Sequence, residues 1–144
     1  MFNRNPGYQR AGQKLFELAQ EAYDVLGDIY PIWGTCDGFE LLAYFSNNFH
    51  KVLRPCWSED RALPLNFTEG CEATQIVSQM PQNIYDILEN ENVTANYHQW
   101  CLTLDAFNHK KNLPLRNFWS VVATNHDVNG VEFVSLLESK EYPM

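Results

Sequence analysis

The sequence predicts an α/β fold, and two stretches of the chain carry that prediction. Residues 11–45 contain a helical pattern, a β-rich run, a tight turn and a second helical pattern. Near the C-terminus, two further β-rich runs flank a polar turn. The chain has 144 residues, of which 45% are hydrophobic, so it has enough apolar material to bury a core. We therefore expect one domain over residues 1–144.

The first half of the chain predicts helix, strand and helix in that order. Between residues 11 and 27, apolar side chains recur at spacings of three and four, and Gly27 is a typical helix stop. Ile29–Trp33 is a short run of β-branched and aromatic residues, which predicts a buried strand. Phe39–Phe45 predicts a second helix, and its apolar composition indicates that this helix is buried.

The remaining elements are predicted from weaker patterns, except for the last pair. Residues 46–75 contain an asparagine pair, two prolines and Gly70, and predict short strands and loops. Residues 82–90 predict a helix, and Ala95–Leu104 predicts a strand. Trp119–Thr124 and Val131–Leu137 flank the polar residues 125–130, so they predict an antiparallel hairpin.

Charge and hydropathy exclude several classes of partner. The 18 acidic and 10 basic side chains give a net charge of -8, whereas a nucleic-acid-binding surface needs a basic stripe. No run approaches the roughly 18 to 20 apolar residues of a membrane-spanning helix. Residues 1–7 lack the apolar core of a signal peptide. We expect neither a nucleic-acid nor a membrane partner, and no signal peptide in this chain.

The cysteines and histidines predict neither a metal site nor a cofactor. The four cysteines form no C-x-x-C pair, and the four histidines are scattered, which is unlike a zinc site. One disulfide, such as Cys56 to Cys71, would be compatible with an exported chain. Two glycosylation sequons, which begin at Asn66 and Asn92, point weakly in the same direction.

The turn between the predicted strand and helix has the pattern of a nucleophile elbow. Gly34 and Gly38 stand two residues before and two after Cys36, which lets the backbone turn sharply and project the thiol. A helix N-terminus favours the thiolate form of Cys36, and the backbone N–H of Asp37 would face a developing oxyanion. The alternative is a small buried cysteine between two ordinary turn glycines.

This segment resembles the nucleophile segment of the γ-glutamyl hydrolases, relatives of the class I glutamine amidotransferases. Glu40 favours the hydrolases, because glutaminase domains usually carry glutamine there. Further matching phrases follow in the same order, and the resemblance rests on Tyr30–Glu40, Pro64–Thr68, Thr94–Trp100 and Glu132–Pro143. The resemblance implies an α/β three-layer sandwich of the class I glutamine amidotransferase-like type, with a mixed sheet that is incomplete in this chain.

The resemblance also implies an activity and a set of site residues. It implies a cysteine-dependent hydrolase that cleaves γ-glutamyl peptide bonds, with folate polyglutamates as the expected substrate and no cofactor or metal. Cys36 is the implied nucleophile, Asp37 supplies an oxyanion N–H, and His98 and Glu40 bind substrate or support the site. A strand histidine held by a local hydrogen bond remains the alternative for His98. The implied compartment is the lysosome, the vacuole or the extracellular space.

Two departures from the family keep a second hypothesis open. Asp37 stands where the family usually has an apolar residue, and its carboxylate works against thiolate formation. In the family, the segment that resembles Glu141–Pro143 is followed by a W-H-P-E phrase with the catalytic histidine, so this chain looks truncated at both ends. The alternative is a non-catalytic paralogue or isoform that binds a γ-glutamyl ligand or a full-length relative. Open strand edges also predict self-association into a homo-oligomer.

Overall fold

The computed structural model describes residues 6–144 of the chain. Its helices are α1 (Pro6–Leu26), α2 (Asp37–Ser46), α3 (Gln75–Ser78), α4 (Gln82–Asn90), α5 (Leu104–Asn108) and α6 (Leu113–Phe118). Its strands are β1 (Arg54–Leu63), β2 (Asn66–Phe67), β3 (Thr94–Cys101), β4 (Trp119–His126) and β5 (Glu132–Ser139). Most of residues 1–7, for which the sequence predicts no signal peptide, lies outside the described residues. Within residues 6–144, none of the helices combines the length and the apolar character needed to cross a membrane.

The strands form two antiparallel sheets, and the fold is α/β. β1 pairs with β3, while β4 pairs with β2 on one side and β5 on the other. The sheets are joined where the N–H of Val134 donates to the carbonyl of Leu102 at 2.8 Å and the N–H of Trp57 donates to Asp127 Oδ2 at 2.8 Å. Every strand pair among residues 6–144 is antiparallel, so the expectation of a mixed sheet is wrong for this part of the chain.

The predicted strand over Ile29–Trp33 is also wrong, and this explains why no parallel pairing forms. Residues 27–35 have no regular structure, although Ile32 donates its N–H to the carbonyl of Pro143 at 3.0 Å. Ile29 and Trp33 are exposed, with Trp33 at 72%. A β-rich run becomes a strand only when a neighbouring strand takes up its backbone hydrogen bonds, and the single bond from Ile32 to Pro143 does not make a ladder.

Several local predictions are confirmed. The second helix covers Asp37–Ser46, the helix at 82–90 is α4 over Gln82–Asn90, and β4 and β5 form the predicted hairpin. β3 covers most of the predicted strand and ends at Cys101. For each of these elements, the sequence pattern that predicts it lies within a single segment of the chain.

The prediction of only short strands in residues 46–75 is wrong for Arg54–Leu63, which forms a ten-residue strand. Its ladder with β3 shifts register between Pro55 and Ser58 and again between Ser58 and Arg61. Asp60, in the second irregular stretch, has a φ of 54°. Such bulges bend and twist a strand, and they blur the two-residue alternation on which strand prediction depends.

Helix α1 begins at Pro6, earlier than predicted, and buries a different part of its surface. Phe16 packs against Phe45 and Phe118, with ring centroids 5.7 and 5.5 Å apart. Leu15 and Val25, which the periodicity placed on a buried face, are 64% and 72% exposed. Of the apolar residues that predicted this helix, Ala19 is buried, whereas Leu15, Leu18, Val25 and Leu26 have exposed side chains.

The main core holds α2 in place behind the Cys36 turn. The indole nitrogen of Trp119 donates to Ser46 Oγ at 2.7 Å, which ties the C-terminal end of α2 to the start of β4. Around this contact lie the buried residues Ala43, Val52, Leu53, Leu102, Ala106, Phe107, Leu115 and Val134. This packing fixes the helix whose N-terminus carries the turn.

The disulfide in the structure is Cys56–Cys101, and the suggested pairing of Cys56 with Cys71 is wrong. Cys56 and Cys101 lie on the paired strands β1 and β3 with their Cα atoms 5.8 Å apart, which is within disulfide range. Cys71 is a buried free thiol in a short 3-10 helix, Cys71–Ala73. Burial raises the pKa of the Cys71 thiol, and the neighbouring Glu72 carboxylate adds to the increase.

Candidate active site

Cys36 has a strained backbone at the entrance to α2. Its φ of 56° and ψ of -118° lie in a region that L-residues other than glycine rarely adopt, and its side chain is exposed. Its carbonyl accepts the N–H of Glu40 at 3.1 Å, which closes the first helical turn behind it. Strain of this kind costs about 1 to 3 kcal/mol and concentrates at functional sites. The turn and the helix of a nucleophile elbow are therefore present, without the preceding strand.

The two elbow glycines are not equally required. A Cβ atom at Gly34 would lie 2.7 Å from Leu42 Cδ1 and 2.8 Å from the backbone of Gly38, so only glycine fits there. A Cβ atom at Gly38 would meet nothing closer than 3.7 Å, the hydroxyl of Tyr8. Gly34 allows the chain to pass close to α2, whereas Gly38 has room for a side chain.

The backbone donor next to Cys36 is unpaired within the described part of the chain. Asp37 is the first residue of α2, and its N–H has no hydrogen-bond partner among residues 6–144. The N–H of Gly38 is instead taken by the carbonyl of Thr35 at 2.9 Å. The Asp37 carboxylate is exposed and stands in the first turn of the helix, where the helix dipole favours a negative charge.

A cavity of about 660 Å³ brings three of the four predicted site residues together. Cys36, Glu40 and His98 all line it, and its remaining wall is mostly apolar, with side chains from β3 and β5. Asp37 is not among the lining residues, so its contribution would be limited to the backbone at the cavity edge. A concave apolar site with a few polar groups is the usual form of a small-molecule site.

Glu40 and His98 are both shifted toward their neutral forms. Burial raises the pKa of Glu40, and the charge of Asp37 acts in the same direction. Burial lowers the pKa of His98. His98 Nε2 is 3.1 Å from Asn96 Oδ1, while Nδ1 is 3.4 Å from Cys101 Sγ and 3.6 Å from Cys56 Sγ. Both ring nitrogens therefore have neighbours in the β1–β3 ribbon.

Within the described residues, the other three histidines do not line this cavity. His50 Nδ1 is 3.1 Å from the carbonyl of Asn47, and His109 Nδ1 accepts the N–H of Lys111 at 3.2 Å. His126 is exposed at the end of β4. The disulfide beside His98 has no signal in the sequence, because strand pairing, and not sequence spacing, brings these residues together.

Known proteins that are similar to this chain in sequence are named γ-glutamyl hydrolase. γ-Glutamyl hydrolase of Mus musculus is 37% identical over 138 residues, which cover 96% of this chain and 42% of the mouse protein. γ-Glutamyl hydrolase B of Dictyostelium discoideum is 36% identical over 121 residues, 84% of this chain and 34% of that protein. The Homo sapiens γ-glutamyl hydrolase is 33% identical over 141 residues, 98% of this chain and 43% of the human protein.

The chain is homologous to the γ-glutamyl hydrolases. The resemblance that the nucleophile segment and the later phrases indicated is thus confirmed over nearly the whole chain. No model of a known protein family matches the sequence. The chain spans 42% of the length of the mouse γ-glutamyl hydrolase and 43% of the human one.

Proposed function

We propose that this chain carries the nucleophile of a γ-glutamyl hydrolase, and that the nucleophile is Cys36. The observation that carries the proposal is the exposed Cys36 thiol on a left-handed backbone at the N-terminus of α2. Such a conformation is costly for a residue with a side chain, so its presence beside a cavity favours a catalytic role over a packing role. Homology to γ-glutamyl hydrolases supports the reaction class.

The reaction would proceed through an acyl-enzyme. The Cys36 thiolate attacks the carbonyl carbon of the γ-amide, and the N–H of Asp37 donates to the oxyanion of the tetrahedral intermediate. The C–N bond then breaks, and the amine leaves with a proton. Water attacks the thioester, which releases the γ-glutamyl acid and restores the thiol. The scheme needs neither a metal nor a cofactor.

Glu40 and His98 would support this reaction from the cavity wall. Glu40 follows Cys36 by one helical turn, and burial raises the pKa of its carboxyl, which favours the protonated form. His98 lies on β3 and contributes an imidazole to the same cavity, where it would hold the substrate carboxylate or tune the thiolate. We assign both residues a supporting role.

The wider expectations follow from the resemblance and remain part of the proposal. The chain would form part of a single three-layer domain of the class I glutamine amidotransferase-like type. The substrate would be a small γ-glutamyl peptide, with folate polyglutamates as the main candidate, and the compartment would be the lysosome, the vacuole or the extracellular space. The exposed apolar stripe of α1 supports the expectation of a homo-oligomer.

Thiol trapping tests the assignment of Cys36 directly. We expect iodoacetamide to modify Cys36 faster than a free peptide cysteine, with a pH-dependent rate, and a γ-glutamyl peptide to protect it. Cys71, a buried thiol in the same chain, is the internal control and should react at least about a hundredfold more slowly, as expected for a group that reacts only after local opening. A Cys36 rate no faster than that of the peptide, without protection, would contradict the proposal.

Turnover of a di-γ-glutamyl substrate separates the roles of the cavity residues. Cys36→Ala should abolish activity, because a covalent nucleophile has no substitute. His98→Ala should weaken turnover by a smaller factor, and Cys71→Ser should leave it unchanged. Circular dichroism of each variant checks that the fold is retained. Wild-type turnover in His98→Ala would assign this histidine a structural role.

The arrangement around His98 favours a second candidate function, a non-catalytic γ-glutamyl binding protein. Among residues 6–144, His98 is the only histidine in the cavity, and both of its ring nitrogens have neighbours. Loss of a general base lowers a rate by about two to four powers of ten. Protection of Cys36 by a γ-glutamyl peptide without turnover and without fast alkylation would support this candidate.

A further inference from the structure

Three potential metal ligands meet between β1 and β3. All three are well separated from Cys36 in the sequence. His98 Nδ1 is 3.4 Å from Cys101 Sγ and 3.6 Å from Cys56 Sγ. The three donor atoms all lie within 4.8 Å of one another. Thiolate sulfur and imidazole nitrogen are the ligands that zinc most often takes in proteins. We call Cys56, His98 and Cys101 the Cys2His cluster.

A chain of hydrogen bonds determines which nitrogen of His98 faces the sulfurs. Asn96 Nδ2 donates to the carbonyl of Thr94 at 2.9 Å, which directs Asn96 Oδ1 toward His98 Nε2 at 3.1 Å. An amide oxygen only accepts, so Nε2 carries the proton and Nδ1 presents a lone pair to the two sulfurs. Histidine ligands of metals are held in this way, with the other nitrogen donating to a fixed acceptor.

A buried hydroxyl beside the cluster has no partner among the described residues. Ser58 is 0% exposed, and its Oγ makes no hydrogen bond within residues 6–144. Ser58 stands opposite His98 in the β1–β3 ladder, so the two side chains are cross-strand neighbours. An unsatisfied buried polar group calls for a specific explanation, and a bound ion with its water is one such explanation.

We propose that the Cys2His cluster is a redox-gated site for a soft divalent cation, with Zn²⁺ as the expected ion. In the described form the two sulfurs are joined to each other, so neither is a thiolate ligand. Two molecules of a thiol reductant open the site by disulfide exchange. The Cys56–Cys101 bond gains two electrons and two protons and gives two thiols, while the reductant forms its own disulfide.

Metal binding to the reduced cluster releases two protons. Zn²⁺ replaces the protons of Cys56 and Cys101 and takes the lone pair of His98 Nδ1 as its third ligand. Cys101 and His98 also line the cavity, so a fourth ligand, water or a solute thiol, can reach the ion from that side. The proposal departs from the sequence-based expectation of no metal, and it does not depend on the proposed hydrolase activity.

Cobalt(II) is the probe for this site, because its spectrum reports both ligand type and geometry. The 144-residue chain is reduced anaerobically with a phosphine, desalted and titrated with Co²⁺. We expect one Co²⁺ per chain, with a sulfur-to-cobalt charge-transfer band and the ligand-field bands of a tetrahedral ion, and displacement of Co²⁺ by Zn²⁺. The oxidised chain should give neither band.

Single substitutions assign the ligands. Cys56→Ser and Cys101→Ser should each remove most of the charge-transfer band, and His98→Ala should weaken Co²⁺ binding by at least about tenfold. Cys36→Ser and Cys71→Ser are the matched controls and should bind Co²⁺ like the wild-type chain. Three results would overturn the proposal: no band in a reduced chain that is folded by circular dichroism, loss of the band in Cys36→Ser, or unfolding of the chain on reduction that Zn²⁺ does not reverse.

Discussion

Cys36 and Cys101 line the same cavity but have opposite surroundings. Cys36 is a free, exposed thiol on a left-handed backbone, after a segment without regular secondary structure. Cys101 is 3% exposed, bonded to Cys56 and paired within the β1–β3 ladder. Two cysteines of one cavity therefore differ in exposure, backbone strain and bonding partner, which are surroundings that affect the reactivity of a thiol.

The structures that support the two cysteines also differ. We call the region around Cys36 the Cys36 side and the region around Cys56–Cys101 the disulfide side. Cys36 depends on the close approach of Gly34 to α2, whereas the disulfide is held by two strands and by Asp127, which connects β1 to the β4–β5 hairpin. Regions with few backbone hydrogen bonds open more easily than paired strands. We therefore expect the largest loss of stability on the disulfide side and smaller effects on stability at the Cys36 turn.

The largest expected effect is the loss of the disulfide. The bridge spans 45 residues, and the chain-entropy treatment of a loop of this length gives a stabilisation of about 4 kcal/mol. The double variant Cys56→Ala/Cys101→Ala should lose roughly that free energy of unfolding in urea titrations. Cys36→Ala is the matched control, and we expect it to change stability by less than about 0.5 kcal/mol. A loss below about 1 kcal/mol in the double variant would contradict the expected difference in stability between the disulfide and Cys36.

Substitution of the two elbow glycines tests the geometry of the Cys36 side. Gly34→Ala should lower the free energy of unfolding by about 1 to 3 kcal/mol, because its Cβ would overlap Leu42 and the backbone of Gly38. Gly38→Ala should be neutral or stabilising by up to about 1 kcal/mol, since there is room and alanine favours a helix. Equal effects of the two substitutions in urea unfolding would show that the approach of the chain to α2 is not the constraint.

Asp127 gives the disulfide side a pH dependence. Burial alone would raise the pKa of this carboxyl, but the N–H groups of Trp57, Asn129 and Val131, at 2.8, 2.8 and 2.9 Å, outweigh burial and lower it, and the charge of Arg61 adds to this. A lowered pKa in the folded state stabilises the fold above the ordinary pKa of 3.8, and that stability is lost as the pH falls through the folded pKa.

The corresponding variant is Asp127→Asn, which keeps the shape of the side chain and removes its charge. We expect it to lose about 1 to 3 kcal/mol at pH 7, because the amide nitrogen that replaces Oδ2 no longer accepts the N–H of Trp57. The difference from wild type should begin to shrink below the ordinary pKa of 3.8, where the unfolded carboxyl takes up a proton, and should continue to shrink as the pH falls through the lowered pKa of the folded carboxyl. Urea titrations at several pH values measure this difference. A difference that is constant from pH 7 to pH 3 would exclude the charge of Asp127 as its source.

The sequence predicted those parts of the molecule whose signals are local. The helix α2, α4 and the β4–β5 hairpin each have their signal within one segment, and each is present. Ile29–Trp33 shows the limit, because a strand also needs a partner that lies elsewhere in the chain. The Cys2His cluster could not be predicted, since 42 residues separate Cys56 from His98 and only the register of β1 on β3 brings them together.

Relief of strain at Cys36 is the smallest expected effect and tests the comparison most finely. If the left-handed backbone at Cys36 is strained, Cys36→Gly should raise the free energy of unfolding by about 1 kcal/mol, because glycine adopts that conformation freely but loses more chain entropy on folding. Cys36→Ala keeps the Cβ atom and should give no increase. Both variants remove the thiol, so a difference between them reports the backbone alone. A Cys36→Gly variant less stable than Cys36→Ala would mean that the turn relaxes without its side chain and that no strain is stored at the proposed nucleophile.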